Sequence, residues 1–259
     1  MSLKENYEYD KEKVKELKNI IEKSNKIVFL GGAGVSTESG IPDFRSQDGL
    51  YNQKYDLSPE YMLSKDCFEE HPDKFYEFYR EKILIDNVKP NAAHYALAKL
   101  EQEGKLKAIV TQNIDDLHEQ AGSKCVYHIH GTIKTYHCPY CGKEYTLEEI
   151  KKMPTVPKCD CGIGEAGLKD SVVIKPDVTL YGEMLPAEAW NKSLYHISQA
   201  DTLIIAGTSL QVYPASTLID YFTGDNLVII NRDITPRDQW ADLVIRGNVG
   251  EVLNAVMTD

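Results

Sequence analysis

The strongest constraint on this 259-residue chain is a set of short, unbroken apolar runs: Ile27-Val28-Phe29-Leu30, Ala108-Ile109-Val110-Thr111, Val126-Tyr127-His128-Ile129, Thr202-Leu203-Ile204-Ile205-Ala206, Leu227-Val228-Ile229-Ile230 and Leu243-Val244-Ile245. A strand with one wet face alternates apolar and polar residues. Runs without alternation need cover on both faces, as in a parallel sheet. Helical spacing fills the gaps. Val14, Leu17, Ile20 and Ile21 share one face of residues 11–24, and Ala93, Leu97 and Leu100 follow Asn91, a good N-cap, in a helix ending near Gly104. The expected fold is α/β: a Rossmann-like parallel sheet with helices on both faces.

Two stretches interrupt this alternation. Residues 46–90 are aromatic and charged, with Phe68, Phe75, Phe78 and Tyr79 at helical spacing, and residues 132–174 carry four of the six cysteines. The expected division is a sheet domain from 1–45, 91–131 and 175–259, with a helical insertion (46–90) and a cysteine module (132–174) forming a small domain. Lys plus Arg number 29 against 40 Asp plus Glu, a net charge of −11. That balance argues against nucleic-acid binding and suits basic partners such as lysine-bearing peptides. The N-terminus has no apolar signal core and no run approaches the ~18 residues of a membrane span, so a cytoplasmic protein without membrane contact is expected.

Gly32-Ala33-Gly34 directly follows an apolar run, as in a dinucleotide-binding turn, where glycines let backbone amides approach a pyrophosphate and a following helix N-terminus favours negative charge. Thr37 stands where the third glycine of that fingerprint belongs, and no acidic residue ends a second strand about 20 residues on. Alone, the turn leaves a phosphate site and a simple tight turn open. Asp43 and Arg45, around Phe44, read equally as a surface ion pair.

Cys138-x₂-Cys141 and Cys159-x-Cys161 are separated by 17 residues. Four thiolates at this spacing fit one closed, structural zinc site with no coordination position left for water. The second pair is unusually tight, and His137 is a nearby substitute ligand. Cys67 and Cys125 stand alone as ordinary thiols.

Read together, GAGVSTESGIPDFRS, TQNIDDLHEQAG, IHGT, CPYC, KPDVTLYGEMLP, GTSLQVYPA and INRD occur in the order seen in sirtuins, and the resemblance runs from about residue 12 to residue 255. It implies an NAD-dependent protein-lysine deacylase, most simply a deacetylase, that moves the acyl group to ADP-ribose and releases nicotinamide. The chain departs from the commonest family pattern in its C-x-C pair and in the extra stretch 162–170.

Carried over by position, Ala33, Thr37, Phe44 and Arg45 fall on the loop that grips NAD. Gln112, Asn113, Ile114 and Asp115 fall on the ribose and nicotinamide pocket, with Asn113 and Asp115 as electrostatic catalytic groups. Thr208, Ser209, Asn231 and the backbone near Val249 fall on the adenosine-ribose side. His130 matches the family's catalytic base. Val178 through Glu183 and Gln211 through Tyr213 resemble the two segments between which an acyl-lysine peptide adds as a strand. Without the resemblance, His128 and His130 are not distinguished: both flank Ile129 at strand spacing. The family's readers of acidic acyl chains carry Tyr-x-x-Arg, and the nearest match here is Tyr79-Arg80-Glu81-Lys82, with lysine offering only a point charge, which favours acetyl or a longer neutral chain. ADP-ribosyl transfer to protein and a non-enzymatic NAD-sensing module are the alternative functions.

Overall fold

The structure, a computed structural model, describes residues 9–44, 49, 57–162 and 171–258. Arg45 and most of the extra stretch lie outside the described residues.

The chain enters through α1 (Lys11–Lys23), whose start is fixed by the Asp10 carboxylate accepting from the amides of Glu12 and Lys13. It then runs through β1 (Ile27–Gly31), α2 (Pro59–Met62), α3 (Lys65–Glu70), α4 (Pro72–Phe78), α5 (Ala92–Gln102), β2 (Leu106–Thr111), α6 (Leu117–Gln120) and β3 (Val126–His128). The cysteine module supplies β4 (Gly131–His137), β5 (Glu144–Thr146), α7 (Leu147–Lys152), β6 (Lys158–Cys159), β7 (Val172–Val173) and β8 (Lys175–Val178). The chain closes with α8 (Ala187–Ser198), β9 (Thr202–Ala206), β10 (Asn226–Ile230), β11 (Leu243–Ile245) and α9 (Val249–Thr258).

Six strands form one parallel sheet in the order β11-β10-β9-β1-β2-β3. The unbroken apolar runs are explained by two different layers receiving alternate residues. Ile27, Phe29, Ile204, Val228 and Ile230 pack with Val14 and Leu17 of α1, Leu97 of α5 and Leu253 of α9. Val28, Leu30, Leu203, Ile205 and Ile229 face the other way, against Ile197 of α8 and Leu218 and Ile219 of a 3₁₀ turn. Each buried side chain of this size contributes roughly 1.5–3 kcal/mol of burial energy. The strand order reverses between β1 and β9, so the crevice at their carboxyl ends is where a doubly wound sheet binds ligands.

The small lobe has a three-stranded antiparallel sheet, β5-β4-β8, and a two-stranded one, β6-β7. One core joins it to the aromatic helices: Phe75, Tyr76 and Tyr79 pack with Tyr136, Cys138, Tyr145 and Cys159. Phe75 stacks on Tyr79 at 5.5 Å and meets Phe68 edge-on at 5.2 Å. Arg80 fastens the two parts, its guanidinium donating to the carbonyls of Ile150, Pro154 and Thr155. Lys175–Val178 pairs antiparallel with β4 as an outer strand of the three-stranded sheet. The glycine of that pairing is required. Gly131 has φ +77°, and a Cβ there would lie 1.9 Å from the Asp177 carbonyl oxygen. Among the described residues no helix is long and apolar enough to cross a membrane.

Candidate active site

At the crevice two glycine turns press together. Gly32 N–H donates to the Ala206 carbonyl at 3.1 Å, and Gly34 N–H to the Gly207 carbonyl at 2.8 Å. A Cβ on Gly34 would sit 2.7 Å from Gly207 Cα, and Gly207 itself has φ +60°. Glycine is therefore demanded on both sides by close approach. The turn does not open a regular helix as expected. It continues as two 3₁₀ turns, Ala33–Val35 and Thr37–Ser39, ending at Gly40 with φ +90°. Each turn is closed by its own backbone bonds, Ser36 N–H to the Ala33 carbonyl and Gly40 N–H to the Thr37 carbonyl, which leave no run of residues for a longer helix.

A cavity of about 490 Å³ opens here, and it gathers Ala33, Phe44, Gln112, Asn113, Ile114, Asp115, His130, Thr208, Ser209 and Asn231. Val178–Glu183 and Gln211–Tyr213 contribute to its rim. Two expected residues do not join it. Thr37 turns its hydroxyl back onto the Gly34 carbonyl at 3.0 Å, and Val249 lines a small adjoining hollow with Gly34, Gly207 and Asn231.

Ser36 is a polar group at the centre of the site that residue-type reasoning passes over. Its hydroxyl donates to Asp115 Oδ2 at 2.9 Å and accepts from Asn113 Nδ2 at 2.9 Å, while Asp115 Oδ1 takes the Leu117 amide at 3.1 Å. Burial pushes the Asp115 carboxyl up, against the lowering effect of the Leu117 amide and the Ser36 hydroxyl. Its only sequence signal was a small polar residue held between two turns of a glycine-rich segment. Asp43 pairs with Arg232 at 2.9 Å, a partner 189 residues away. Gln112 Nε2 donates to Thr208 Oγ1 at 3.1 Å, joining the two halves of the sheet across the crevice.

The two candidate histidines separate on hydrogen bonding. His128 Nδ1 lies 3.1 Å from the Asn113 carbonyl and Nε2 2.6 Å from Glu119 Oε1, so both ring nitrogens face acceptors and the charged ring is favoured. Burial opposes that charge, but the Glu119 carboxylate outweighs it and raises the pKa. His130 donates Nδ1–H to the Gln112 carbonyl at 3.0 Å, which fixes the tautomer and leaves the Nε2 lone pair. Burial lowers its pKa and keeps the ring neutral. Of the two, only His130 lines the cavity and has a base to offer.

The four cysteines Cys138, Cys141, Cys159 and Cys161 converge with all Sγ atoms within 4.8 Å of one another. Cys138–Cys161 and Cys141–Cys159 are 3.4 and 3.8 Å apart. A tetrahedral zinc with bonds of about 2.3 Å needs sulfurs about 3.8 Å apart, so the set fits that metal. The tight C-x-C pair reaches because Asp160–Gly162 forms a 3₁₀ turn. His137 points elsewhere, its Nδ1 2.5 Å from Asp177 Oδ1. Arg80 is committed to backbone carbonyls, whereas Tyr79 and Lys82 reach the cavity wall, Lys82 with Glu81 at 2.8 Å.

Comparison with known proteins agrees with this geometry. The Sir2 family model matches residues 32–214. The chain is 54% identical over 250 residues to an NAD-dependent protein deacetylase of Clostridium acetobutylicum, covering 95% of this chain and 98% of that one. It is 51% identical to the corresponding protein of Clostridium perfringens, covering 95% and 99%. Among solved structures, a Sir2 with deacetylated p53 peptide and 3′-O-acetyl ADP-ribose superposes with a TM-score of 0.85 at 40% identity, covering 94% of this chain and 97% of that one. A Sir2 with p53 peptide and NAD⁺ gives 0.81 at 41%, with the same coverage. Motif order, sheet topology and sequence identity over nearly the whole length converge, and the chain belongs to the Sir2 family.

Proposed function

We propose that this protein removes acyl groups, acetyl foremost, from protein lysines, consuming NAD as co-substrate and releasing nicotinamide and O-acyl-ADP-ribose. The observation that carries the reading is one cavity at the sheet's reversal point holding a neutral, single-tautomer histidine beside a buried Asn–Ser–Asp chain.

In this reading His130 Nε2 takes the proton of a ribose hydroxyl, making that oxygen the acceptor of the acyl group, a contribution of about 10²–10⁴-fold. Asn113 and Asp115 orient the nicotinamide ribose and favour the positive charge that develops as its glycosidic bond breaks. Ala33, Phe44, Gln112 and Ile114 wall the nicotinamide side, with Phe44 against the ring. Thr208, Ser209, Asn231 and the backbone at Val249 hold the adenosine ribose. Arg45 and Thr37 belong to the same loop. The acyl-lysine peptide adds between Val178–Glu183 and Gln211–Tyr213. Cys138, Cys141, Cys159 and Cys161 hold one structural zinc, whose four thiolates require a reducing compartment, in keeping with a cytoplasmic enzyme. The helical segment 46–90 and the cysteine module act as one small domain against the sheet domain.

The test is a panel of acyl-lysine peptides with and without NAD, followed by mass spectrometry. Deacylation that requires NAD and is lost in a folded His130→Ala variant is expected. Deacylation without NAD, or ADP-ribose attached stably to protein, overturns the reading.

A further inference from the structure

Asn91 caps α5 and does not line the cavity, yet its side chain does more than cap. Its Oδ1 accepts from the Ala93 amide at 2.9 Å, which is the capping bond. Its Nδ2 donates twice in the other direction, to the Val35 carbonyl at 2.8 Å and to Ser39 Oγ at 3.0 Å. Those two acceptors bracket Ser36, the residue whose hydroxyl links Asn113 to Asp115. The same group meets the first turn of α5 again: the Asn91 N–H lies 3.2 Å and Asn91 Oδ1 3.1 Å from His94 Nδ1, on a ring that burial keeps neutral by lowering its pKa to about 4.

We infer that Asn91 is a positioning residue for the dinucleotide: it clamps residues 35–39 so that Ser36 holds Asn113 and Asp115 in register, and it sets NAD affinity without touching NAD. The inference rests on the cavity being the NAD site. No other natural side chain of this length offers one acceptor to the helix and two donors to the loop from the same planar group. Aspartate keeps the cap, since it is an equally good N-cap residue, but it loses both donors and sets a carboxylate oxygen against the Val35 carbonyl. Serine also keeps the cap, and its shorter side chain lacks the two amide donors.

Asn91→Asp and Asn91→Ser therefore separate capping from clamping. Titration calorimetry of the full-length variants with NAD is expected to give a Kd weakened about ten-fold in the serine variant, and more in the aspartate variant. Thermal midpoints stay near the parent's, and in turnover assays the KM for NAD rises while the KM for acetyl-lysine peptide does not. Ser39→Ala, which removes one of the two loop acceptors, gives a smaller weakening in the same direction and keeps the test available if the Asn91 variants fold poorly. Parent-like NAD affinity in Asn91→Asp or in Ser39→Ala overturns the inference. A parent protein that binds no NAD overturns the site reading as well.

Discussion

Replacing Ser36 by alanine tests the centre of the site with almost no change of volume. Ser36 is buried, and among the described residues Asp115 retains the hydrogen bond of the Leu117 amide alone once the hydroxyl is gone. A hydrogen bond to a charged acceptor is worth about 1.5–3 kcal/mol. Asp115 is only 7% exposed, so solvent screening does not discount that figure. Asn113 loses its 2.9 Å acceptor at the same time. If the interaction matters fully in the transition state, kcat/KM for NAD falls about 10- to 100-fold. The pH dependence moves as well. The Ser36 bond lowers the Asp115 pKa against burial, so its loss raises that pKa further and shifts the acid limb of the rate profile upward. Steady-state kinetics with an acetyl-lysine peptide across pH, beside thermal melts, measure both effects. Activity within threefold of the parent with an unmoved acid limb would refute the assignment of Asp115 as a charged participant held by Ser36.

His130→Ala is expected to cut turnover by about 10²–10⁴-fold with NAD binding retained, as titration calorimetry and single-turnover assays would read. Because burial lowers the His130 pKa, the neutral base persists below the ordinary histidine range, and the histidine-controlled acid limb of kcat falls below pH ~6.5; a limb at or above that value contradicts the burial argument. Gly131→Ala puts a methyl group against the Asp177 carbonyl at a positive φ, and a loss of stability of at least about 1–3 kcal/mol should appear in denaturant melts. Metal analysis should find one zinc per chain, lost with Cys138→Ser or Cys161→Ser and unaffected by His137→Ala, whose ring is engaged with Asp177.

The sheet was legible because its strands are buried on both sides, and that burial writes unbroken apolar runs into the chain. The helix start at Asn91 was legible as local capping chemistry. The contacts of the site's interior were not. Ser36 meets Asn113 and Asp115, 77 and 79 residues later, only because β1 and β2 lie parallel with Gly31 opposite Thr111. No periodicity encodes such a register. The Asp43–Arg232 pair depends likewise on two loops meeting over the strand ends. His128 and His130 were indistinguishable by spacing, since the difference lies in what each ring nitrogen faces after folding: Glu119 for one and a single carbonyl for the other.

The cysteine cluster follows His130 closely in sequence but sits a strand's length from it, and the two are mechanically joined. β4 begins one residue after His130 and ends one residue before Cys138, a distance of roughly 20 Å along an extended strand. The small-lobe core that contains Cys138 and Cys159 also contains or contacts Phe44, Ile114, Ile133, Tyr79, Val178 and Leu180, all of which line the cavity. Ile133 N–H bonds the Ile114 carbonyl at 3.0 Å, and Thr179 N–H bonds the His130 carbonyl at 2.8 Å, so one wall of the site is built from lobe backbone. A zinc that ordered the four thiolates would therefore stabilise the wall against which Asn113, Asp115 and His130 are set, with no coordination position left for it to act on substrate. Loss of the metal should consequently reduce turnover through the shape of the cavity, with the catalytic groups themselves unchanged.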